Sequence, residues 1–145
     1  MLFRPTGYTL FEGTTALKES QSSQGLALSG KRVLVVEDEY YIADDLRRIL
    51  EGVGAEIVGP LSTIDKAHQA LNDASFDCAV IDLNLHGESA IPIAERLSDA
   101  GKSFAIATGY GSGSIPDRFK DVPRIEKPFN AATLLDLVGQ LSCVR

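Results

Sequence analysis

From Lys31 onward, short apolar or β-branched runs alternate strictly with helical stretches, and this alternation constrains the fold more than any other feature of the chain. The runs are Lys31–Val36, Ala55–Gly59, Asp77–Ile81, Ser103–Thr108 and Val122–Glu126, while 40–51, 63–73, 89–99 and 131–142 carry helical periodicity. The stretch between the fourth and fifth runs is irregular, so five strands and four or five helices are expected. In the first helix Ile42, Leu46, Ile49, Leu50 and Val53 recur on one face, and Gly52 and Gly54 end it. Ser62 with Asp65 reads as a capping box, Asn130 as the N-cap of the last helix, and Pro92 as a first-turn proline whose missing N–H costs nothing there. Strands that are apolar on both sides and alternate with helices imply a parallel sheet with right-handed crossovers and both faces covered. The expected class is α/β, a doubly wound five-stranded parallel sheet in the order 2-1-3-4-5.

Residues 1–30 are different. They hold four Ser, four Thr and four Gly, and Arg4 and Lys18 balance Glu12 and Glu19. No period runs through them, so they read as a flexible arm, with Tyr8, Leu10 and Phe11 available for docking, ahead of a folded domain over 31–145. The formal charge of −6 then belongs to that domain. Without a basic cluster it does not suit a surface that holds nucleic acid or acidic lipid, and proteins or cations are the expected partners. No apolar run approaches the roughly 18 residues that cross a bilayer, and Arg4-Pro5 is followed by no secretory core, so a cytoplasmic protein without membrane insertion is expected. Cys78 and Cys143 have neither zinc-ligand nor disulfide-framework spacing and read as reduced core thiols.

In a doubly wound sheet, ligands sit outside the carboxyl ends of the strands. The first strand here ends in Glu37-Asp38-Glu39, the third in Asp82, the fourth in Thr108 and the fifth in Glu126-Lys127-Pro128. Carboxylates about 4 Å apart repel by about 4 kcal/mol at an effective dielectric near 20, so the cluster calls for a cation. Oxygen ligands without a thiolate or imidazole pair point to Mg²⁺. His86, on the loop after Asp82, is expected to stand outside the ligand set. Asp82 is the one carboxylate on the middle strand. Beside Mg²⁺, and facing a hydroxyl and an ammonium, it suits a nucleophile that accepts a phosphoryl group as an acyl phosphate, with Lys127 and the metal offsetting charge on the transferring oxygens and Thr108 hydrogen-bonding one of them.

Val35-Val36-Glu37-Asp38-Glu39, Asp82-Leu83-Asn84-Leu85, Ala107-Thr108-Gly109-Tyr110 and Lys127-Pro128-Phe129 resemble the signature blocks of the receiver domain of two-component response regulators, over roughly residues 31–142. The resemblance implies a flavodoxin-like receiver fold in which Asp82 is the phosphoacceptor and Glu37 and Asp38 form the acidic Mg²⁺ site. It makes the Asn84 backbone carbonyl a further ligand, Thr108 the switch hydroxyl and Lys127 the phosphoryl contact, with a cis peptide before Pro128. It also implies a sensor histidine kinase as phosphoryl donor, a downstream protein as partner, and a phosphoacceptor rather than an enzyme. Ile106-Ala107-Thr108-Gly109-Tyr110 is similar to the Phe-Ala-Thr-Gly-aromatic block of the FAT GUY receivers, which often serve HWE-type kinases, with Ile106 in place of the Phe. Arg124 stands where many receivers carry an aromatic switch residue, which leaves Tyr110 as the candidate.

Other functions fit less well. A haloacid-dehalogenase-like phosphohydrolase would resemble Asp-x-Asp, and Asn84 stands at the second position; a nucleotide binder's phosphate loop would be repelled by Glu37-Asp38-Glu39. A degenerate receiver serving as a constitutive binding module would lack Asp82 or Lys127. After the last helix only Ser142 to Arg145 remain, which reads as a stand-alone receiver. Gly109, Gly111, Gly113 and Pro116 oppose a full fourth helix, so 109–120 is expected to be a short turn or loop that moves when unphosphorylated and orders as Thr108 is drawn toward Asp82.

Overall fold

The computed structural model describes residues 28–109 and 115–143, with side chains through Leu141. Its elements are β1 (Arg32–Val36), α1 (Tyr40–Glu51), β2 (Glu56–Leu61), α2 (Ile64–Asp73), β3 (Cys78–Asp82), α3 (Ile91–Asp99), β4 (Ser103–Thr108), β5 (Arg124–Glu126) and α4 (Ala131–Cys143). The strands form one parallel sheet in the order β2-β1-β3-β4-β5, as the alternation implied. Register then decides which residues meet. Val36 lies beside Ile81, Asp82 beside Ala107 and Thr108 beside Glu126, so Glu37, Asp82, Thr108 and Lys127 all emerge at one edge.

Period-two alternation splits the apolar strands between two cores. Leu34, Ile81 and Ile106 face Ile64 and Ala67 of α2 and Ile93 and Leu97 of α3. Val33, Val80 and Ala105 face Leu46 and Leu50 of α1 and Leu134 and Val138 of α4, with Cys78 buried among them. The outer face of α1 instead carries Arg47 and Arg48, paired with Asp44, Asp45 and Glu51 at helical spacings, contacts worth a few tenths of a kcal/mol each. No helix among the described residues is long and apolar enough to cross a membrane.

Several boundaries differ from the sequence reading. The cap of α2 is Thr63, whose Oγ1 accepts the Lys66 N–H at 3.1 Å, and not Ser62; one residue decides which hydroxyl faces the open N–H groups. Asn130 caps α4 as expected, accepting from Thr133 N at 2.8 Å, and Pro92 lies in the first turn of α3. That helix starts at Ile91 rather than 89 because Glu88–Ser89 pairs with Asn84–Leu85 in an antiparallel ribbon. β2 runs on to Leu61. There Gly59, at φ 109°, passes so close to β1 that a Cβ would lie 2.8 Å from the Val35 carbonyl oxygen, which excludes any side chain. β5 begins only after Pro123, as suits a sheet edge. Peptides 59–60 and 127–128 are cis.

Between β4 and β5, a 3₁₀ turn at Asp117–Phe119 stands where a helix would complete the pattern. Phe119 is buried there, edge-to-face with Phe104 at 6.0 Å between ring centres. Residues 110–114, and with them Tyr110 and much of the expected moving segment, lie outside the described residues, as do Tyr8, Leu10 and Phe11 of the arm and the side chain of Cys143. At the near end of the arm, Leu28 is fully buried against the second core, its carbonyl accepting Lys31 N, while Gly30 N donates to Gly54 O.

Candidate functional site

The backbone turns away from the sheet just after β1, where Glu37 N donates to Leu61 O at 3.0 Å, so that the Glu37 side chain points inward and is wholly buried. Its Oε2 accepts the N–H of Glu39 at 3.2 Å. Lys127, directed by the turn after β5 and held by its own N–H on Thr108 O at 2.6 Å, extends its ammonium between two carboxylates. Nζ lies 2.7 Å from Glu37 Oε1 and 2.8 Å from Asp82 Oδ2. Carboxylate oxygens of Glu37, Asp38 and Asp82 all lie within 4.8 Å of one another. Three carboxylates against one ammonium leave a net negative centre when all are ionised.

Burial pushes the Glu37 carboxyl up from 4.5 to about 7, even though Lys127 opposes the shift. Burial also works against the charged Lys127, but its bonds to Asp82 and Glu37 outweigh that and hold the ammonium above its ordinary value. The Glu37 oxygen nearest Lys127 is buried without a properly aligned hydrogen bond, although the ammonium is close enough to attract it. A buried carboxylate oxygen with an unused lone pair, close to two further carboxylates, fits a hard divalent cation such as Mg²⁺.

Asp82 is fixed at both oxygens, since Oδ1 accepts the Asn84 N–H at 2.8 Å while Oδ2 meets Lys127. The Asn84 amide oxygen in turn accepts Gly87 N at 2.7 Å, bracing a ribbon whose two-residue turn, His86-Gly87, has φ of 53° and 84°. This turn brings the His86 N–H to 2.8 Å from Asp38 Oδ2 and the imidazole Nδ1 to 3.2 Å from the same oxygen. Sequence reasoning missed this contribution. The signal was the dipeptide ending in Gly, flanked by strands too short to show a period.

Two clefts border Asp82. The larger, about 540 Å³, is lined by Asp38, Asp82, Asn84 and Lys127 and extends past Ile42 and Asp45 of α1 to Phe129. The smaller, about 190 Å³, is lined by Asp82, Ser89, Ile91, Ile106, Thr108 and Ile115. Of the expected site residues, Glu37, Asp38, Asp82 and Lys127 are thus gathered directly, Asn84 borders both clefts, and Thr108 lies on the second. Arg124, where an aromatic could stand, reaches back to the Lys120 carbonyl at 3.1 Å and ties the edge strand to the 3₁₀ turn.

No model of a known protein family matches the chain, and no curated protein does. Solved structures do. SdrG from Sphingomonas melonis Fr1 is 36% identical over 79% of this chain and 93% of its own, with a TM-score of 0.66. The response regulator PhyR from Brucella abortus is 25% identical over 89% of this chain, which spans 54% of PhyR, with a TM-score of 0.69. A CheY-like receiver domain protein from Methanospirillum hungatei JF-1 is 25% identical over 79% of this chain and 94% of its own, with a TM-score of 0.70.

Proposed function

Because this chain belongs to the receiver-domain family of response regulators, we propose that it accepts a phosphoryl group from a sensor histidine kinase on Asp82 and signals by phosphorylation-dependent protein binding or by relay. The observation that carries this reading is the convergence of Glu37, Asp38 and Asp82 around the Lys127 ammonium at the carboxyl edge of the sheet. An Asp82 carboxylate oxygen attacks phosphorus, the bond from phosphorus to the donor's imidazole nitrogen breaks, and that nitrogen keeps the electron pair.

Glu37, Asp38, Asp82 and the Asn84 carbonyl would hold Mg²⁺, which when bound would neutralise charge on the phosphoryl oxygens. Lys127 holds Asp82 Oδ2 and offsets charge on the transferred group, and the Asn84 N–H fixes the other oxygen, so the nucleophile is oriented before the donor arrives. Thr108, across Asp82 in the smaller cleft, is the hydroxyl that the acyl phosphate draws in. Ala107-Thr108-Gly109 and the replacement of a switch aromatic by Arg124 support an HWE-type kinase as donor.

Incubation with acetyl phosphate and Mg²⁺ tests the assignment by intact mass. The wild type is expected to gain one phosphoryl group and Asp82→Asn none, while keeping its fold. Labelling of Asp82→Asn at the wild-type rate would move the acceptor to another carboxylate.

A further inference from the structure

We propose that the N-terminal arm folds back along α1 and covers the exposed pair Tyr40 and Tyr41 with Tyr8, Leu10 and Phe11, setting Arg4 against the acidic rim of the larger cleft. The chain then carries its own cover for that cleft.

Tyr40 and Tyr41 open α1 with their rings edge to face, 5.3 Å between centres, and are 74% and 81% exposed. They are the large apolar side chains left in solvent among the described residues. Glu39 before them and Ile42 after them both line the larger cleft, whose wall continues through the half-buried ring of Phe129. Exposed aromatic surface that runs on into a partly apolar groove gains from being covered.

The length and attachment of the arm select the occupant. Leu28, where the arm joins the domain, is fully buried in the same cluster as Leu46 and Leu50 of α1, and Ser29 lies against Gly54, just beyond the C-terminal end of that helix. The tyrosine pair is at the other end, about 18 Å away along a 12-residue helix. The chain from Phe11 to Leu28 is rich in Ser, Thr and Gly, and 17 such residues have a root-mean-square reach of about 21–25 Å when flexible. Reach and span therefore match, which is the condition for the highest effective concentration. In the millimolar range typical of such tethers, a contact with a Kd of about 1 mM is made about half the time.

Charge points the same way. Asp38, Glu39, Asp45 and Asp82 line the larger cleft against the ammonium of Lys127, and Arg4 is the sole charged side chain in residues 1–11. Four residues from Tyr8, it reaches up to about 13 Å past the aromatic pair, far enough to meet those carboxylates. A partner protein or a second copy of the chain would also bury the two rings, and these are the rival occupants. On the phosphoacceptor reading the docked arm lies in the path of a phosphoryl donor, but its docking does not depend on that reading.

A nitroxide on Glu12→Cys in the full chain, with Cys143→Ser and with Cys78 buried, tests the docking through paramagnetic broadening of amide NMR signals, without any phosphorylation. The signals of Tyr40 to Ala43 are expected to lose about half their intensity or more, while those of Ile91 to Asp99, on the opposite face of the sheet, keep theirs and report that each variant is folded. Leu10→Ser with Phe11→Ser should restore the α1 signals, and so should Tyr40→Ser with Tyr41→Ser. Arg4→Glu or high salt should reduce the broadening about twofold or more. No broadening, equal broadening on both faces, or broadening untouched by the Leu10 and Phe11 or the Arg4 substitutions would overturn the proposal. Broadening of an isotope-labelled chain mixed with a separate spin-labelled chain would give the tyrosine pair to a second copy and overturn it as well.

Discussion

Asp82 separates two clefts built in opposite ways. On one side the walls are charged and cross-braced: Lys127 bridges Glu37 and Asp82, and the ribbon's N–H groups hold Asp38 and Asp82. On the other, Thr108 and Ser89 are set among Ile91, Ile106 and Ile115, beside a crossover whose described part holds only a 3₁₀ turn. On the proposed reading, the contrast would put the chemistry on the cross-braced side and the response on the side walled by Thr108 and the isoleucines. It also implies that substitutions on the two sides fail differently.

The largest expected effect separates the sides by labelling. Asp38→Ala should slow acetyl phosphate labelling by about a hundredfold or more, because the metal contributes several kcal/mol to such transfers, whereas Thr108→Ala should be labelled at close to the wild-type rate. Equal losses in both variants would break the comparison.

Phe119→Ala tests how firmly the responsive side is anchored. If the buried ring holds the crossover, denaturant unfolding should show a loss of about 3–5 kcal/mol, similar to truncating a buried leucine of α3 such as Leu97. A loss below about 1 kcal/mol would mean that the 3₁₀ turn is no anchor.

A smaller effect measures the acidic side alone. At free Mg²⁺ ten times its Kd, linkage gives about 1.4 kcal/mol, seen as a rise of a few degrees in Tm, and Asp38→Ala should remove it. No rise in the wild type would discard Mg²⁺ as an occupant.

The smallest effect is on pH dependence. Glu37 titrates near 4.5 when unfolded and near 7 when buried, so the folded state holds an extra proton between those values. The stability it adds is complete below about pH 4.5 and is lost as pH rises through about 7. Metal-free wild type should therefore lose more Tm than Glu37→Gln across that window, and added Mg²⁺ should narrow the difference.

Much of this architecture was legible because parallel strands in register align their ends. Once the apolar runs were recognised, Glu37, Asp82, Thr108 and Lys127 had to share an edge, and the gathering of the first, second and last with Asp38 follows from that alignment. What stayed hidden has local causes. The ribbon at Asn84–Leu85 and Glu88–Ser89 has strands too short to carry a period, so His86 passed as an ordinary loop residue. The choice of Thr63 over Ser62 as cap depends on which hydroxyl faces the helix axis, which adjacent residues of the same chemistry do not reveal. The division of the edge into two clefts arises from side-chain directions around Asp82 that no strand boundary encodes.

Asp82 is a wall of both clefts, so on the proposed reading a phosphoryl group on it would border both and couple what fills them. Coupling of this kind is reciprocal. On the proposed reading, an output partner that binds the phosphorylated form more tightly by some factor must favour phosphorylation by the same factor. The abundance of that partner would then help to set how much of the protein is charged at a given kinase activity, making the listener part of the input.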